Sequence, residues 1–279
     1  MENIRQNEAM KKTQIERIPF ALPEEINKIC SGVRLFDSSC SSAARVYYIE
    51  RDGGYYLKLS DRGSLQREAT MTEYFHQKGL GGELLYYSCD FGDENDILLT
   101  RAVIGEDCTA EKYLSEPSRL ADILGENLRA LHETDFSDCP VQDRLSEYFA
   151  LAEHNYRTGS YNKEHFPDSF GYSSAEEAYR VLTLGKDILK NRVLIHGDYC
   201  LPNVMLNGWS FSGVIDLGNA GVGDRHIDLF WGQWSIGFNL QMTHEINYKK
   251  YAERFLDAYG REKINKEALS VVRAAEVFG

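Results

Sequence analysis

The sequence predicts an α+β chain in two parts: an N-terminal antiparallel β-sheet lobe with one main helix over residues 1–103, and a mostly helical C-terminal lobe over residues 104–279. Three observations point there. Strand-length runs separated by turn signals fill Arg34–Arg101. From Ser118 onward apolar residues recur at helical spacing. Among the later helices lies Val193–Leu217, VLIHGDYCLPNVMLNGWSFSGVIDL, which reads as a short apolar strand, a polar turn and then a hairpin ending on Asp216.

The elements follow from local chemistry. Pro23 is placed to open a short helix, because its missing N–H costs nothing in a first turn. Arg34–Phe36, Arg45–Arg51 and Tyr55–Leu59 read as strands, with Asp52–Gly53–Gly54 turning the last two into a hairpin. Ser64–Lys78 is predicted as a helix with Leu65, Met71, Thr72 and Phe75 on one face and Gly79 as its stop. Leu84–Cys89 and Ile97–Arg101 complete the sheet, and Ala102–Gly105 is the expected hinge. Ser118–His132 carries a stripe of Leu120, Ile123, Leu124, Leu128 and Leu131. Asn, Gly and His interrupt Tyr148–Tyr172, which receives no element. Ser174 with Glu177 predicts a capping box for a helix to about Leu184. Gly218–Gly223 lacks the Lys-Ser/Thr ending of a phosphate loop and the full dinucleotide fingerprint, so a flexible turn is expected. Glu245–Tyr259 and Lys266–Phe278 read as helices.

Composition narrows the function. A chain of 279 residues can bury one large core or two smaller ones. Its six cysteines show no C-x-x-C spacing, and MENIRQNEAMKKTQIER lacks the apolar core of a signal peptide, so reduced thiols and a cytoplasmic location are expected. No apolar run approaches bilayer length, and no membrane partner is expected. A net charge of −12 argues against nucleic acid, whose phosphates require basic stripes. It favours a cationic small molecule through long-range attraction, or simply serves solubility.

The chemistry concentrates in the Val193–Leu217 stretch. Asp198 followed after four residues by Asn203 is the spacing of a phosphotransfer loop, where the Asp takes the proton of the attacking hydroxyl and the Asn holds magnesium. Asp216 at a strand end supplies a second hard oxygen ligand. A tight turn at Asn207–Gly208 would bring Asn203 and Asp216 side by side. Lys58, flanked by Leu57 and Leu59, can point to solvent. It can also pair with Glu68 in the next helix to hold nucleotide phosphates. Asp228 is placed to cap or tether the Asp198 loop rather than touch substrate, and the small residues of Asp37–Ser42 suit a loop over phosphate or an ordinary polar turn.

Taken together, His196-Gly197-Asp198-Tyr199-Cys200-Leu201-Pro202-Asn203, Phe211-Ser212-Gly213-Val214-Ile215-Asp216-Leu217-Gly218 and Gly223-Asp224-Arg225 with Asp228 resemble the aminoglycoside phosphotransferase family, most closely its 3′-phosphotransferases. The resemblance implies a bilobal, protein-kinase-like fold that uses ATP or GTP with Mg²⁺ to phosphorylate an aminoglycoside hydroxyl, giving antibiotic resistance. It makes Asp198 the catalytic base, also in contact with substrate, and Asn203 and Asp216 the metal ligands. It gives Lys58, oriented by Glu68, to the phosphates and Tyr56 to adenine stacking. Ser41 and Ser42 match the loop over the phosphates, Arg101 and Val103 the hinge at the adenine edge, and Glu276 and Phe278 the tail lining the drug site. Two departures lie on the acceptor side: Asn219 stands where the family usually has Arg, and Ile236-Gly237-Phe238-Asn239 where acidic residues are usual.

Three other readings stay open on the residues: a kinase for another small hydroxylated amine or sugar; a metal-dependent hydrolase built on His196/Asp198 and His226/Asp228; and a catalytically silent binding protein. The hydrolase leaves Lys58, Glu68 and Asn203 without roles.

Overall fold

The alternation along Arg34–Arg101 builds an antiparallel sheet in a computed structural model that describes residues 12–40, 43–92, 94–162 and 170–279. Its strands are β1 (Thr13–Ile15), β2 (Arg34–Asp37), β3 (Ala44–Glu50), β4 (Tyr55–Asp61), β5 (Leu84–Phe91) and β6 (Asn95–Arg101), in the order β1-β2-β3-β4-β6-β5. β1 is too polar to be visible in the sequence, yet it pairs with β2 and sets Ile15 opposite Leu35. One face of the sheet buries Leu35, Tyr47, Ile49, Tyr55, Leu57, Ile97 and Leu99 against Ile26 of helix α1 (Glu24–Cys30). On the other face Leu98 packs with Leu65 and Ala69, at and inside the start of α2 (Gln66–Gln77). β6 is therefore apolar at consecutive positions because both of its faces are covered.

The chain divides into two compact units. Residues 12–107 form one together with Val204–Gly218; residues 108–203 and 219–279 form the other. The hairpin thus belongs with the sheet unit, although a division near residue 103 was expected to leave it with the helices. Hydrogen bonding explains this. The hairpin strands β9 (Val204–Asn207) and β10 (Ser210–Val214) continue onto β7 (Glu106–Asp107), which pairs with β9, and the Val214 amide donates to the Leu80 carbonyl at 2.8 Å. The turn centres on Gly208–Trp209, one residue later than the predicted Asn207–Gly208, with Gly208 at φ 63°. Positive φ at the first central residue is the type II′ pattern, which glycine adopts without cost.

In the helical unit, α3 (Glu111–Leu114) and α4 (Pro117–His132) precede α5 (Arg144–Thr158) and α6 (Ala175–Gly185). Strand β8 (Val193–Ile195) then pairs with β11 (Gly221–Gly223), and α7 (Arg225–Met242), α8 (Tyr248–Tyr259) and α9 (Lys266–Glu276) follow. Four of these helices start on a side-chain cap. The Asp143 carboxylate accepts from the Ser146 amide, Asp224 from His226 and Asn265 from Glu267. Ser174 accepts from the Glu177 amide as predicted, but the Glu177 carboxylate reaches back to the Ser173 amide at 2.9 Å, one residue earlier than a capping box requires. Two sequence expectations change. α5 occupies much of the unassigned Tyr148–Tyr172 segment, and part of the Gly218–Gly223 turn is the buried strand β11.

Helix α4 lies against α8 at a contact set by Gly125, where an added Cβ would stand 2.5 Å from the Phe255 carbonyl oxygen and 2.8 Å from the Ala258 Cβ. The Gly125→Ala variant is expected to push the helices apart and lose about 1–3 kcal/mol, the usual cost of overpacking. Urea titration checks this as a lower midpoint with an unchanged slope.

Candidate active site

Two groups of side chains carry the residues singled out by sequence, one in each unit. In the sheet unit, alternation along β4 sends Tyr55 and Leu57 into the core and Tyr56 and Lys58 to the opposite face. That face is not solvent at Lys58, whose side chain is only 20% exposed. Its ammonium donates to Glu68 Oε2 at 2.7 Å and to Asp216 Oδ1 at 3.0 Å. Glu68 is available because it stands in the first turn of α2, and Asp216 because the β9–β10 hairpin returns the chain to that place. Asp216 has φ 62°, a left-handed conformation uncommon outside glycine and a form of strain that clusters at functional sites. Burial alone would lower the Lys58 pKa, but the carboxylates of Asp216 and Glu68 outweigh it and hold the pKa above the ordinary lysine value. Lys58 is a cation throughout the physiological range.

Tyr56 packs on Tyr48 with ring centroids 5.2 Å apart, and the Lys12 ammonium lies 3.4 Å from the Tyr48 ring centre. The Arg101 guanidinium is engaged with Glu83 at 3.1 Å and lies 5.0 Å from the Tyr55 ring, so its side chain holds the sheet edge. Among the described residues the Val103 amide donates no backbone hydrogen bond, while its neighbour Ala102 donates to Gly54. Ser41 and Ser42 lie outside the described residues.

In the helical unit the loop after β8 is fixed from behind by one fully buried carboxylate. Asp228 accepts the His196 amide at 2.7 Å on Oδ2 and the Gly197 amide at 2.7 Å on Oδ1. The His132 ring adds a bond from Nε2 at 3.1 Å, and its Nδ1 meets the Tyr259 hydroxyl at 2.9 Å. Gly197 is obligatory. Its φ is 84°, and an added Cβ would stand 2.2 Å from the Asn219 carbonyl oxygen. The loop so held presents Asp198 and Asn203 together: Asn203 Nδ2 donates to the Asp198 carbonyl at 3.0 Å and to Asp198 Oδ2 at 3.1 Å. With the amide nitrogen committed to Asp198, Asn203 Oδ1 is left as the acceptor, a neutral hard oxygen that suits magnesium, as do carboxylates such as Asp216.

Ser235 of α7 anchors the far end of the loop by accepting from the Leu201 amide at 3.0 Å. Asn239, at an acceptor-side departure, points inward and donates to the Ser235 carbonyl at 2.8 Å. Glu276 is buried, with Oε1 taking the Tyr148 hydroxyl at 2.7 Å and the Trp231 indole at 3.2 Å. Burial and the nearby Asp198 charge push its pKa up to about 7, against these two donors. Phe278 departs from the drug-lining expectation. It has no exposed surface and packs among Tyr156, Tyr161 and Tyr179, so its ring closes the core of this unit.

The histidines proposed for a metal-dependent hydrolase have other duties. His226 is bonded through Nδ1 to Asp224 at 2.6 Å and accepts the Asn265 amide on Nε2 at 2.9 Å. Among the described residues no three His, Cys, Asp or Glu side chains gather as a metal cluster. His132, Tyr148, Trp231 and Ser235 were missed by sequence reasoning. The one available signal was His132 at the end of an apolar helical stripe.

Comparison with known proteins gives the family and the fold. Residues 36–272 match the model of the phosphotransferase enzyme family. A protein of Lactococcus lactis subsp. lactis (strain IL1403) named probable aminoglycoside 3′-phosphotransferase is 44% identical over 257 residues, spanning 92% of this chain and 95% of the relative. A solved aminoglycoside-3′-phosphotransferase of type VIII superposes with a TM-score of 0.69 at 26% identity, covering 86% of this chain and 90% of the other. The Streptomyces rimosus aminoglycoside phosphotransferase APH(3″)-Id, solved with ADP and streptomycin, superposes with a TM-score of 0.66 at 22% identity over 84% of this chain and 90% of its own. The last likeness speaks to the fold alone.

Two outcomes follow from the Asp228 anchor. Asp228→Ala strands two buried amides and the His132 ring, and is expected to lose about 3–5 kcal/mol of stability, measured by urea titration. Burial lowers the His132 pKa below its ordinary 6.5, against the pull of Asp228, so the unfolded chain takes that proton first. Stability attributable to neutral His132 is therefore intact above the ordinary imidazole pKa and falls as pH drops through and below it. Glu276, raised on folding, contributes the opposite slope, so the check is the difference between the native chain and His132→Gln. That difference should narrow as pH falls from neutral to 5.

Proposed function

We infer the reaction from one established point, that the chain belongs to the phosphotransferase enzyme family: it transfers the terminal phosphoryl group of ATP to a hydroxyl of an aminoglycoside, the 3′-hydroxyl by analogy with its Lactococcus relative. The observation that carries this reading is the Asp198–Asn203 pair on a loop held by a buried carboxylate. In this reading the sheet unit, with its hairpin, handles nucleotide and the helical unit handles catalysis and acceptor. A cytoplasmic location accords with an intracellular nucleotide donor.

Phosphoryl transfer passes through a loose transition state, so the protein's work is positioning and charge neutralisation. Asp198 aligns the acceptor hydroxyl and takes its proton. Lys58, kept charged and aimed by Glu68, neutralises the phosphate oxygens of the donor. Tyr56 offers its ring to the adenine, with Arg101 and Val103 supplying backbone at the base edge and Ser41 and Ser42 the loop over the phosphates. Asn203 and Asp216 would hold magnesium, which when bound neutralises the phosphate charge. Glu276 contributes acidity on the acceptor side. GTP in place of ATP would meet the same phosphate groups.

The test is mass spectrometry of kanamycin incubated with the protein, ATP and magnesium. One added phosphoryl group on kanamycin supports the reading, and no phosphorylated product across an aminoglycoside panel overturns it. A single product from another small hydroxylated amine would transfer the reading to that acceptor. Asp198→Ala is expected to lower kcat roughly 10²–10⁴-fold, the usual worth of a general base, in a coupled assay of ADP release with acceptor present.

A further inference from the structure

The sheet unit contains a second aspartate secured in the way Asp228 is. Asp96, near the start of β6, has no exposed surface. Its Oδ1 accepts the Gly63 amide at 2.8 Å and its Oδ2 the Leu65 amide at 2.8 Å, and the Tyr87 hydroxyl donates to Oδ2 at 3.2 Å. A carboxylate taken out of water is costly unless donors satisfy its oxygens, so the segment that supplies the donors is fixed with it. Here that segment is the turn entering α2. Among the described residues no side chain at the start of α2 caps the helix, and the hold on its entry comes from a strand instead.

Lys58 and Glu68 meet through a short closed path that passes through this carboxylate. The antiparallel pairing of β4 with β6 sets Lys58 opposite Leu98 and Ser60 opposite Asp96. Alternation puts Asp96 on the face of β6 that carries Leu98, which is the face α2 covers with Leu65 and Ala69. From Asp96 the path runs through the Leu65 amide, then through the bond from the Ala69 amide to the Leu65 carbonyl at 2.9 Å, into the first turn where Glu68 stands. Glu68 Oε2 closes it on the Lys58 ammonium at 2.7 Å. The apolar contact of Leu65 and Ala69 with Leu98 has no preferred direction and draws the helix onto the sheet. The two charge-assisted amide bonds are directional and fix where along β6 the helix begins.

We propose that Asp96 is a positioning residue for the phosphoryl donor: by fixing the entry of α2 it sets Glu68 against Lys58, and so determines where the ammonium meets the phosphates. Its hold on Glu68 stands on the bonds above, and its bearing on the donor rests on the ATP reading.

The test uses the full chain and reads ATP affinity by isothermal titration calorimetry with magnesium, the KM for kanamycin, and the rate at which acetic anhydride labels Lys58. The labelling is followed by peptide mass spectrometry without nucleotide and reports how closely Glu68 covers the ammonium. Asp96→Asn replaces one acceptor oxygen with a donor and strands an amide. It should weaken ATP binding roughly 5–50-fold, leave the KM for kanamycin within about twofold, and speed labelling of Lys58 several-fold. Glu68→Gln should act alike, and the double variant should be no worse than Glu68→Gln alone, because both changes break one path. A purely structural role for Asp96 would multiply the two effects and raise the KM for kanamycin alongside, and that result overturns the proposal. Native ATP affinity or native labelling in a folded Asp96→Asn also overturns it. If Asp96→Asn does not fold, Tyr87→Phe, which withdraws only the hydroxyl, takes its place with an expected change of roughly twofold to fivefold, and no change there overturns the proposal. If the native chain binds no ATP while labelling still depends on Asp96 through Glu68, the positioning role stands and the ATP reading falls. If it binds no ATP and labelling is indifferent to Asp96, both fall.

Discussion

A single buried carboxylate organises the helical unit. Asp228 has no exposed surface and accepts three hydrogen bonds, two from consecutive backbone amides and one from an imidazole. Bringing such a group out of water costs several kcal/mol unless its oxygens are satisfied, and here the donors that satisfy it are the backbone of the loop presenting Asp198. The loop geometry and the stability of the helix pack are thereby coupled. The chain cannot relax the loop without stranding the carboxylate, and cannot release the carboxylate without freeing the loop. The His132 ring extends the coupling to Tyr259, so α4, α7 and α8 all bear on the position of one aspartate.

Much of this was legible from local patterns. The strand runs from Arg34 to Arg101 showed themselves by alternation, and the Asp198–Asn203 spacing identified the loop before any geometry. The role of Lys58 was not decidable locally. Alternation correctly placed it opposite the leucines, but what covers that face is Asp216, 158 positions further along the chain, delivered by a hairpin that pairs with β7. A sequence reading has no access to contacts of that separation.

The errors have physical causes as well. Gly221 and Gly223 read as a turn because glycine weakens strands in isolation. In the fold they form a strand because there is no room for anything larger. An added Cβ at Gly221 would meet the Arg144 side chain at 2.7 Å, and one at Gly223 would meet Ile195 at 2.4 Å. Those neighbours supply the packing that the glycines lack. The resemblance gives Phe278 to the tail lining the drug site, whereas the aromatic residues of α5 and α6 around it supply a pocket that its phenyl ring fills. α5 escaped notice because its cap, Asp143, stands before the first interrupting residues and its apolar face is narrow.

The two ion pairs of Lys58 are unequal, and the inequality matters for phosphoryl transfer. The Glu68 partner is about one-tenth exposed and the Asp216 partner about half exposed, at 10% and 51%. Solvent screens the second contact and leaves the first strong, since an exposed pair contributes little while breaking a buried one is costly. In the proposed reading, a polyphosphate would compete for the ammonium, and the contact to yield would be the screened one. Glu68 would, in that reading, keep aiming Lys58, and Asp216 would be the carboxylate left to hold a divalent cation. The lysine that pairs with Asp216 would then, in the proposed reading, be the group that phosphates draw away from it.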